Sequence, residues 1–471
     1  MLSWHAIKIA IHFLTYYLLV TAMIQLSLGE IARVLQGRLI GSDIPFTGCY
    51  TDTRKPLAGG LYVALKGQQF DGHEFLPQVQ AQGACAALVE QDNVKIDLPM
   101  VCVANTWQAV GQLAHYWRER FNPPVVAVTG SNGKTTVKEM TRQILAQAGQ
   151  VLATQGNLNN EIGLPLTLFQ LEANHDFAVL EMGASKRGDI AYLSQIAQPS
   201  IAVVTLCAPS HLDGFKSVEG VARTKGEIFE HLPMSGIAVI NQDDFYSGLW
   251  QELAGQRKII TFGLHKLATI TAYDINLAVD HTQFILVTPL GEISIFLPLA
   301  GQHNVMNALA ASACALASGC TLSHIQQGLN SFSAVKGRLQ CYQGVKHCTV
   351  IDDTYNANPQ SFQAALAVLS RYNSPRWLVM GDMKELGEQS AMFHQQLGES
   401  ARQLGIARLW AVGDMSRFAV TAFGQGASHW TNQAAMISAL LTELSENTTL
   451  LIKGSRSMQM EKVVQALTQG E

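Results

Sequence analysis

VVAVTGSNGKTT, at residues 125–136, is the stretch from which the fold of the chain can be deduced. Its first residues, Val125–Val128, are apolar and mostly β-branched, which predicts a buried parallel strand. Gly130 breaks this strand, and apolar residues recur at helical spacing from Val137, which predicts a helix that ends at Gly149. A strand, a glycine turn and a helix place unpaired backbone N–H groups at a positive helix end, where polyphosphate is stabilised.

The residues after Gly130 add the side chains that a nucleotide phosphate needs. Lys134 supplies a positive charge for the β- and γ-phosphates, and the hydroxyl of Thr135 can bind Mg²⁺. The common spacing G-x-x-x-x-G-K-[ST] is not kept, because Val128 stands at its first glycine position. A turn that only needed glycine would not explain a lysine followed by two threonines. We therefore predict a nucleotide site formed by the loop residues Gly130, Ser131, Asn132, Gly133, Lys134, Thr135 and Thr136.

The totals of the chain limit the class of protein. A length of 471 residues predicts two to four domains, and 48% apolar with 14% charged residues is typical of a well-buried α/β protein. The net charge of −4 provides no basic field, so we expect no nucleic-acid partner. The eight cysteines include no C-x-x-C pair, which indicates reduced thiols and no disulfide or zinc framework.

The first 22 residues differ from the rest, because residues 7–22 are almost wholly apolar. Three interpretations are open: a signal peptide, a short membrane anchor, or upstream sequence translated from a misplaced start. An exported ATP enzyme would lack its nucleotide, and the segment is short for a membrane span. We therefore expect Met23 to be the true start and expect no stable membrane insertion.

Residues 23–105 predict a small α/β domain. Two polar loops flank a strand at residues 59–65, and such loops bind anionic ligands in α/β layers. Two plainer interpretations stay open: Asp52 and Arg54 would form a surface pair, and His73 would be an ordinary loop residue. The candidate ligand-binding residues of the two loops are Thr53, Arg54, Asp71, Gly72 and His73.

Residues 106–332 predict a central domain around the phosphate loop. A loop rich in amides and glycines, with Asn157, Asn159 and Asn160, is typical of polar ligand binding. Glu181 ends the next buried strand, and a carboxylate at that edge suits Mg²⁺. The third strand leads to His211 at the same edge. Residues 256–300 predict antiparallel strands, and Gly301 begins an alanine-rich helix to about Ala317.

Strand–helix alternation restarts in residues 333–471 and predicts a further, Rossmann-like domain. Each of its strands ends in a polar turn, so these turns should share one binding edge. No G-x-G-x-x-G motif occurs, and we expect no bound dinucleotide. The candidates for substrate binding at this edge are Tyr355, Asn356, Asn358, Lys453, Ser455 and Arg456.

From about residue 23 to its end, the chain resembles the Mur ligases of peptidoglycan synthesis. The motifs that carry the resemblance are TGSNGKTT, GNLNNEIG, HLDGF, TKGEIF, GQHNVMNA, GRL at 337–339, DDTYNANP and KGSR. The resemblance implies an α/β fold with three domains: a UDP-substrate domain, a central ATPase domain with a parallel sheet, and a Rossmann-like domain. Together these motifs are far more specific than the phosphate loop alone.

The resemblance also implies roles for individual residues. Lys134 and Thr135 would hold ATP and Mg²⁺, with Glu181 and His211 at the metals. Lys225 matches the lysine that is carbamylated in this family to supply a metal-binding anion. The remaining nucleotide contacts implied are Asn304 at the base side, with Arg338 and Asp353 approaching from the last domain.

Within the family, the resemblance is to members that join D-alanyl-D-alanine to UDP-N-acetylmuramoyl-tripeptide through an acyl phosphate. It implies a cytoplasmic monomer that uses ATP and Mg²⁺. Another amide ligase of the superfamily, such as a folylpolyglutamate synthetase, is the nearest alternative. A whole domain precedes the phosphate loop here, whereas those enzymes begin close to theirs. A nucleotide-switched binding protein without ligation chemistry is the alternative from another class.

Overall fold

The computed structural model of the protein describes residues 23–67, 69–91, 96–210 and 212–468. The predictions for residues 1–22 and for His211 lie outside these described residues. None of the described helices is long and apolar enough to cross a membrane. The described residues form two compact units, which are described one at a time. The first contains the described residues of 23–127, with 149–183 and 189–200, and the second contains 128–148, 184–188 and the described residues of 201–468.

The first unit opens with a small α/β layer. Its elements are β1 (Gln25–Ser27), α1 (Leu28–Val34), β2 (Arg38–Ile40), β3 (Pro45–Thr47), β4 (Cys49–Tyr50), β5 (Leu61–Val63), α2 (Leu76–Ala81), β6 (Ala86–Val89), β7 (Met100–Cys102) and α3 (Thr106–Arg118). Strands β4 to β7 are parallel neighbours in the order β2-β7-β6-β5-β4, and β2 is antiparallel to β7. Ser27 and Asn105 cap α1 and α3 by accepting hydrogen bonds from Glu30 N and Gln108 N.

The strand that leads to the phosphate loop, β8 (Val125–Thr129), crosses from the first unit into the second at Ala127. Every one of its residues is buried, as its β-branched run predicts. The first unit also contains β9 (Val151–Ala153), α5 (Gly163–Leu168), β10 (Phe177–Glu181) and α6 (Asp189–Ala197). Strand β10 is parallel to β9, and Ala178 N donates to Pro124 O, which aligns β10 with the approach to β8.

The second unit begins with the helix after the phosphate loop and continues through the rest of the central region. Its elements there are α4 (Lys134–Leu145), β11 (Ile201–Val204), α7 (Leu212–Phe215), α8 (Val218–Glu230), β12 (Ile237–Asn241), α9 (Ser247–Ala254), β13 (Lys258–Phe262), β14 (Thr271–Leu277), β15 (Thr282–Thr288), β16 (Gly291–Leu297), α10 (Gln302–Ala317) and α11 (Leu322–Asn330). Strands β11, β12 and β13 are parallel, and α4 packs against α10 and α11.

Two details of the sequence-based prediction were wrong. Helix α4 ends at Leu145 and not at Gly149, because Gln147 N and Ala148 N turn back to Ile144 O and Leu145 O. Gly149 is needed instead for a close approach, since a Cβ there would lie 2.4 Å from Asp176 Oδ2. Of residues 256–300, β14, β15 and β16 are antiparallel as predicted, but β13 is not, because the crossover through α9 makes it parallel to β12.

The last stretch of the second unit is a twisted sheet with helices. Its elements are β17 (Gln340–Gln343), β18 (Thr349–Asp353), α12 (Pro359–Leu369), β19 (Arg376–Gly381), α13 (Ser390–Gln403), β20 (Arg408–Val412), α14 (Ser416–Phe423), β21 (Ala427–Trp430), α15 (Gln433–Glu443), β22 (Thr449–Lys453) and α16 (Glu461–Thr468). The order is β17-β18-β22-β19-β20-β21, parallel except for β17. The carboxyl ends of these strands therefore meet at one edge, as predicted.

Candidate functional site

The phosphate loop has the backbone that only glycine allows at two positions. Gly130 has φ +149° and Gly133, the residue before α4, has φ +79°. A Cβ on Gly130 would lie 1.8 Å from Thr205 Oγ1, and one on Gly133 would lie 2.5 Å from Asn307 Oδ1. Glycine is therefore required at both positions, because the backbone has a positive φ and a Cβ would clash with a neighbouring side chain.

The loop is held by hydrogen bonds from its own lysine and from the residues after β11. Lys134 Nζ donates to Gly130 O at 2.8 Å, which folds the lysine back over the loop. Ser131 Oγ donates to Ala208 O and accepts from Ala208 N, both at 3.0 Å. Thr205 Oγ1 donates to Asn132 O at 2.5 Å. The loop is thus fixed before any phosphate arrives.

Arg338 from the last domain reaches the phosphate loop. Its Nη2 donates to Thr135 Oγ1 at 2.9 Å, and its guanidinium lies 4.0 Å from the centre of the Tyr355 ring. Its Nε is buried without a hydrogen-bond partner among the described residues. The structure therefore brings Arg338 and Tyr355 to Thr135, which lies more than 200 positions earlier in the sequence.

A second link joins Asn132 to the start of α12. Asn132 Nδ2 donates to Asn358 Oδ1 at 3.2 Å and to Gln360 Oε1 at 3.1 Å, while Asn358 Nδ2 donates to Asn132 Oδ1 at 2.7 Å. Asn358 also caps α12 by accepting from Ser361 N. The two asparagines were predicted as separate ligand-binding residues, whereas here they bind each other. Gln360 was not predicted, since a lone glutamine in a first helical turn gives no signal.

Lys225 lies in the interior of α8 and is only 2% exposed. Its ammonium lies 5.8 Å from the centre of the Phe215 ring, and no salt bridge to it is found among the described residues. Burial, together with a smaller effect of the nearby charge of Lys134, lowers the pKa of Lys225 to about 7. A substantial fraction of the side chain is therefore a neutral amine at pH 7, which is the nucleophilic form.

Asp353 and Lys453 form a buried ion pair across neighbouring strand ends. Lys453 Nζ lies 2.5 Å from Asp353 Oδ2 and also donates to Asn356 O at 2.8 Å. The half-buried His303 of α10 faces this pair, and desolvation lowers the pKa of His303 to about 4 although Asp353 opposes the shift. His303 is therefore neutral at pH 7, and its place beside the pair was not predicted.

The remaining predicted residues of the second unit contact other groups of the protein. Asn304 Nδ2 donates to Ala300 O at 2.8 Å, and its Oδ1 accepts from Asn307 at 3.1 Å. Ser455 Oγ accepts from Lys384 N at 2.8 Å. Arg456 is largely exposed and lies 3.1 Å from Glu461 Oε1.

In the first unit, one carboxylate oxygen of Glu181 accepts a hydrogen bond and the other has no partner among the described residues. Asn159 Nδ2 donates to Glu181 Oε1 at 2.7 Å, and Glu181 N donates to Thr154 Oγ1. Oε2 is buried and has no hydrogen-bond partner among the described residues. Asn160 accepts from Gly163 N at the start of α5, and Asn157 is exposed.

The two predicted loops of the small α/β layer differ from each other. Arg54 binds Asp52 through Nε at 2.9 Å and Nη2 at 2.8 Å on the surface, beside Thr53. These hydrogen bonds lower the pKa of Asp52 to about 2. His73 is buried instead: its Nδ1 lies 2.6 Å from Asp71 Oδ1, and its Nε2 accepts from Glu90 N.

Through these two hydrogen bonds, His73 stabilises the loop in which it lies. Because Nε2 accepts, Nδ1 carries the proton and donates to Asp71. Gly72 begins the short 3₁₀ turn here, where a Cβ would lie 2.7 Å from Leu65 N. These contacts match the plainer interpretation of each loop: Asp52 and Arg54 form a surface pair, and His73 is a structural residue of its loop.

Family profiles match the chain in three consecutive parts. They are the catalytic domain of the Mur ligase family at residues 45–130, the Mur ligase middle domain at 128–315, and the glutamate ligase domain of Mur ligases at 337–456. The UDP-N-acetylmuramoyl-tripeptide–D-alanyl-D-alanine ligase of Escherichia coli strain K12 is 45% identical over 448 residues, which cover 94% of this chain and 99% of that protein. The chain belongs to the Mur ligase family.

Solved structures of Mur ligases agree with this fold. Crystal structure I of MurF from Acinetobacter baumannii has a TM-score of 0.89 at 36% identity and covers 94% of this chain and 99% of its own. The MurF ligase of Thermotoga maritima in complex with ADP has a TM-score of 0.79 at 28% identity, with 89% and 96% covered. The three-domain α/β fold of the Mur ligases, predicted above, is confirmed.

Proposed function

We propose that this chain is an ATP-dependent ligase that joins D-alanyl-D-alanine to UDP-N-acetylmuramoyl-tripeptide. The observation that carries the proposal is a complete phosphate loop in a chain that matches a ligase of that name over nearly its whole length. Lys134 and the N–H groups at the start of α4 would bind the β- and γ-phosphates. Asn304 would contact the base, and Arg338 and Asp353 would approach from the last domain.

The residues present fit Mg²⁺. Each unit carries a hard oxygen of the kind that Mg²⁺ prefers: the second has the Thr135 hydroxyl, and the first has the buried Oε2 of Glu181, which has no hydrogen-bond partner among the described residues. No group of three histidine, cysteine, aspartate or glutamate residues in the described part of the chain is arranged to hold a metal. This agrees with Mg²⁺, which takes most of its ligands from water and substrate phosphates. Bound Mg²⁺ would neutralise charge on the phosphates.

The reaction needs no nucleophile from the protein. An oxygen of the tripeptide carboxylate attacks the γ-phosphorus, the bond to ADP breaks, and an acyl phosphate forms. The dipeptide nitrogen then attacks the acyl carbon, the carbon–oxygen bond to phosphate breaks, and one proton is released overall. Lys134 stabilises the charge that develops in both steps. Exclusion of water would protect the acyl phosphate from hydrolysis.

Lys225 would act as a carbamate. Its neutral amine would attack CO₂, and loss of one proton from nitrogen leaves an anion with oxygen ligands for Mg²⁺. The lowered pKa of Lys225 supports this role, because a protonated amine cannot react. His211, a further metal-binding prediction, lies outside the described residues.

The other assignments follow the same proposal. Residues 23–105 would bind the UDP-substrate, 106–332 the ATP, and 333–471 would close on both. Contacts to the substrates would come from Thr53, Arg54, Asp71, Gly72, His73, Asn157, Asn159, Asn160, Tyr355, Asn356, Asn358, Lys453, Ser455 and Arg456. We infer that the enzyme is a cytoplasmic monomer.

The test is the substrate dependence of ADP release. Purified protein is given ATP and Mg²⁺ with the UDP-tripeptide, with D-alanyl-D-alanine, or with both, and the peptide product is identified by mass. We expect sustained ADP release only with both substrates. Release with a folate and glutamate instead would identify the folylpolyglutamate alternative, and nucleotide binding without turnover would identify a switch protein.

A further inference from the structure

Arg338 and Tyr355 form the shortest contact between a cation and an aromatic ring in the described part of the chain. The guanidinium carbon lies over the ring, 4.0 Å from its centre, and the other contacts of this kind are 4.9 Å or longer. Asp353, two residues before Tyr355, pairs with Lys453, and no salt bridge to Arg338 is found among the described residues. The charge of Arg338 is therefore attracted by a ring and is not paired with a carboxylate.

The turn that carries Arg338 also contacts Tyr355 through the backbone. Tyr355 N donates to Gly337 O at 3.2 Å, and Arg338 N donates to Val335 O at 3.0 Å. The tyrosine therefore holds both the turn and the side chain that leaves it. An arginine side chain has several rotatable bonds, so two points of contact restrict where its guanidinium can lie.

The loop that carries Tyr355 is itself held on both sides. Before the tyrosine, Thr354 Oγ1 donates to Asp352 Oδ1 at 2.6 Å. After it, the buried Lys453 Nζ donates to Asn356 O at 2.8 Å. The ring thus belongs to an anchored loop, which is what a residue needs in order to orient a flexible neighbour.

The contact with the ring leaves the N–H donors of Arg338 available for phosphate. Attraction to the face of a ring acts on the charge of the guanidinium and uses no hydrogen bond. Nη2 donates to Thr135 Oγ1 at 2.9 Å at the start of α4, and Nε has no hydrogen-bond partner among the described residues. In the proposed reaction, negative charge develops on the transferred phosphoryl group beside this helix end, and a guanidinium there would stabilise it.

We propose that Tyr355 is a positioning residue for phosphoryl transfer, whose ring holds the guanidinium of Arg338 at the phosphate loop. The role rests on the ligase activity proposed above, and it goes beyond a substrate contact because Tyr355 acts through Arg338. Without the ring, Arg338 would populate other rotamers, and fewer molecules would have the guanidinium in place during the transfer. The attraction comes from the ring, so the hydroxyl of Tyr355 is dispensable.

Substitutions at Tyr355 separate the ring from the hydroxyl. Tyr355→Leu removes the ring, so kcat for peptide formation should fall about tenfold, with the KM values for ATP, the UDP-tripeptide and D-alanyl-D-alanine changed less than about twofold. Tyr355→Phe keeps the ring and should retain about half or more of the wild-type kcat. Phe418→Leu is the matched control, because it removes a ring that contacts Arg417 on α14, and it should leave kcat unchanged.

A double-mutant cycle with Arg338→Ala tests whether Tyr355 acts through the arginine. In the Arg338→Ala background, Tyr355→Leu should lower kcat by less than about twofold. An equal loss in both backgrounds would contradict the role, since Tyr355 would then act without Arg338. A rise in KM without a fall in kcat would make Tyr355 a substrate contact only, and wild-type kinetics for Tyr355→Leu would exclude both roles.

The wild-type enzyme separates this role from the activity on which it rests. If it forms the peptide product and the variants give one of the contrary results, the role of Tyr355 is wrong and the activity stands. If it forms no peptide product, the proposed function fails, and the role of Tyr355 in that reaction fails with it.

Discussion

Lys225 and Lys453 are both 2% exposed, but only Lys453 has a carboxylate that pairs with its charge. At the end of β22, Lys453 has Asp353 Oδ2 at 2.5 Å and a backbone carbonyl at 2.8 Å. In α8, Lys225 faces an aromatic ring, with the charge of Lys134 nearby. Burial lowers the pKa of both; a direct hydrogen bond and the charge of Asp353 oppose the shift at Lys453, whereas Lys225 has only the more distant Cys207 and Glu227 to oppose it.

The difference shows that burial alone does not define a functional lysine. A buried ammonium with a carboxylate partner holds two elements together, and removing either partner leaves an unpaired charge. A buried ammonium beside another cation is driven towards the neutral amine, which can react. Four measurements test this difference in surroundings.

The largest expected effect is on catalysis at Lys225. Lys225→Arg keeps the positive charge but cannot form a carbamate, so we expect kcat to fall by about 10³-fold or more. Lys225→Ala should be equally inactive and should recover part of its activity with added short-chain carboxylic acids. Wild-type protein in ¹³C-bicarbonate should show a carbamate carbon resonance that Lys225→Arg lacks.

A matched control for the arginine variant is Lys258→Arg, an exposed lysine of the same unit, which should turn over normally. Normal turnover by Lys225→Arg would exclude the carbamate role.

The next effect is on stability at the paired lysine. Lys453→Met leaves Asp353 buried without its cation, and we expect the free energy of unfolding to fall by about 3 kcal/mol. Lys453→Met combined with Asp353→Asn should recover part of this loss, because no buried charge remains. Denaturant unfolding of the three variants measures it. An unchanged midpoint for Lys453→Met would show that the ion pair contributes nothing.

The same substitution at Lys225 should raise the free energy of unfolding instead of lowering it. Lys225→Met removes a buried group whose charged form is unfavourable, so the protein should gain about 1–3 kcal/mol at pH 7 in CO₂-depleted buffer. Between pH 7 and 10.5 the unfolded chain holds the proton and the native one does not, so wild-type stability rises with pH. The advantage of Lys225→Met should therefore shrink towards pH 10. A loss of stability at pH 7 would contradict the burial argument.

The smallest effect is expected at the exposed pair of the first unit. The side chain of Arg54 is 88% exposed, so Arg54→Ala should leave the melting temperature unchanged within error. If Arg54 binds the UDP-substrate, only the KM for that substrate should rise. A marked fall in melting temperature would show that the pair is structural after all.

The sequence alone predicted the parts of the fold that local chemistry controls. The β-branched run of β8, the glycines at 130 and 133 and the alternation after residue 333 each have a short-range cause, and each prediction agrees with the structure. Helix α10 was predicted from Gly301 to about Ala317 and runs from Gln302 to Ala317. Family motifs added the candidate roles of Lys225 and Arg338, which local pattern could not supply.

Which of the candidate residues contact each other depends on the folded chain. Asn132 and Asn358, 226 positions apart, bind each other, and Gln360 joins them although nothing in its sequence context marks it. Glu181 has a buried oxygen without a partner among the described residues, and the two nitrogens of His73 are already in use. The physical reason is range: strand and turn preferences act over a few residues, whereas burial, pKa and hydrogen-bond partners depend on groups that the folded chain brings together. Lys225 and Lys453 are the same type of residue, and only their surroundings differ. Lys453 forms an ion pair with Asp353, whereas burial drives Lys225 towards the neutral amine.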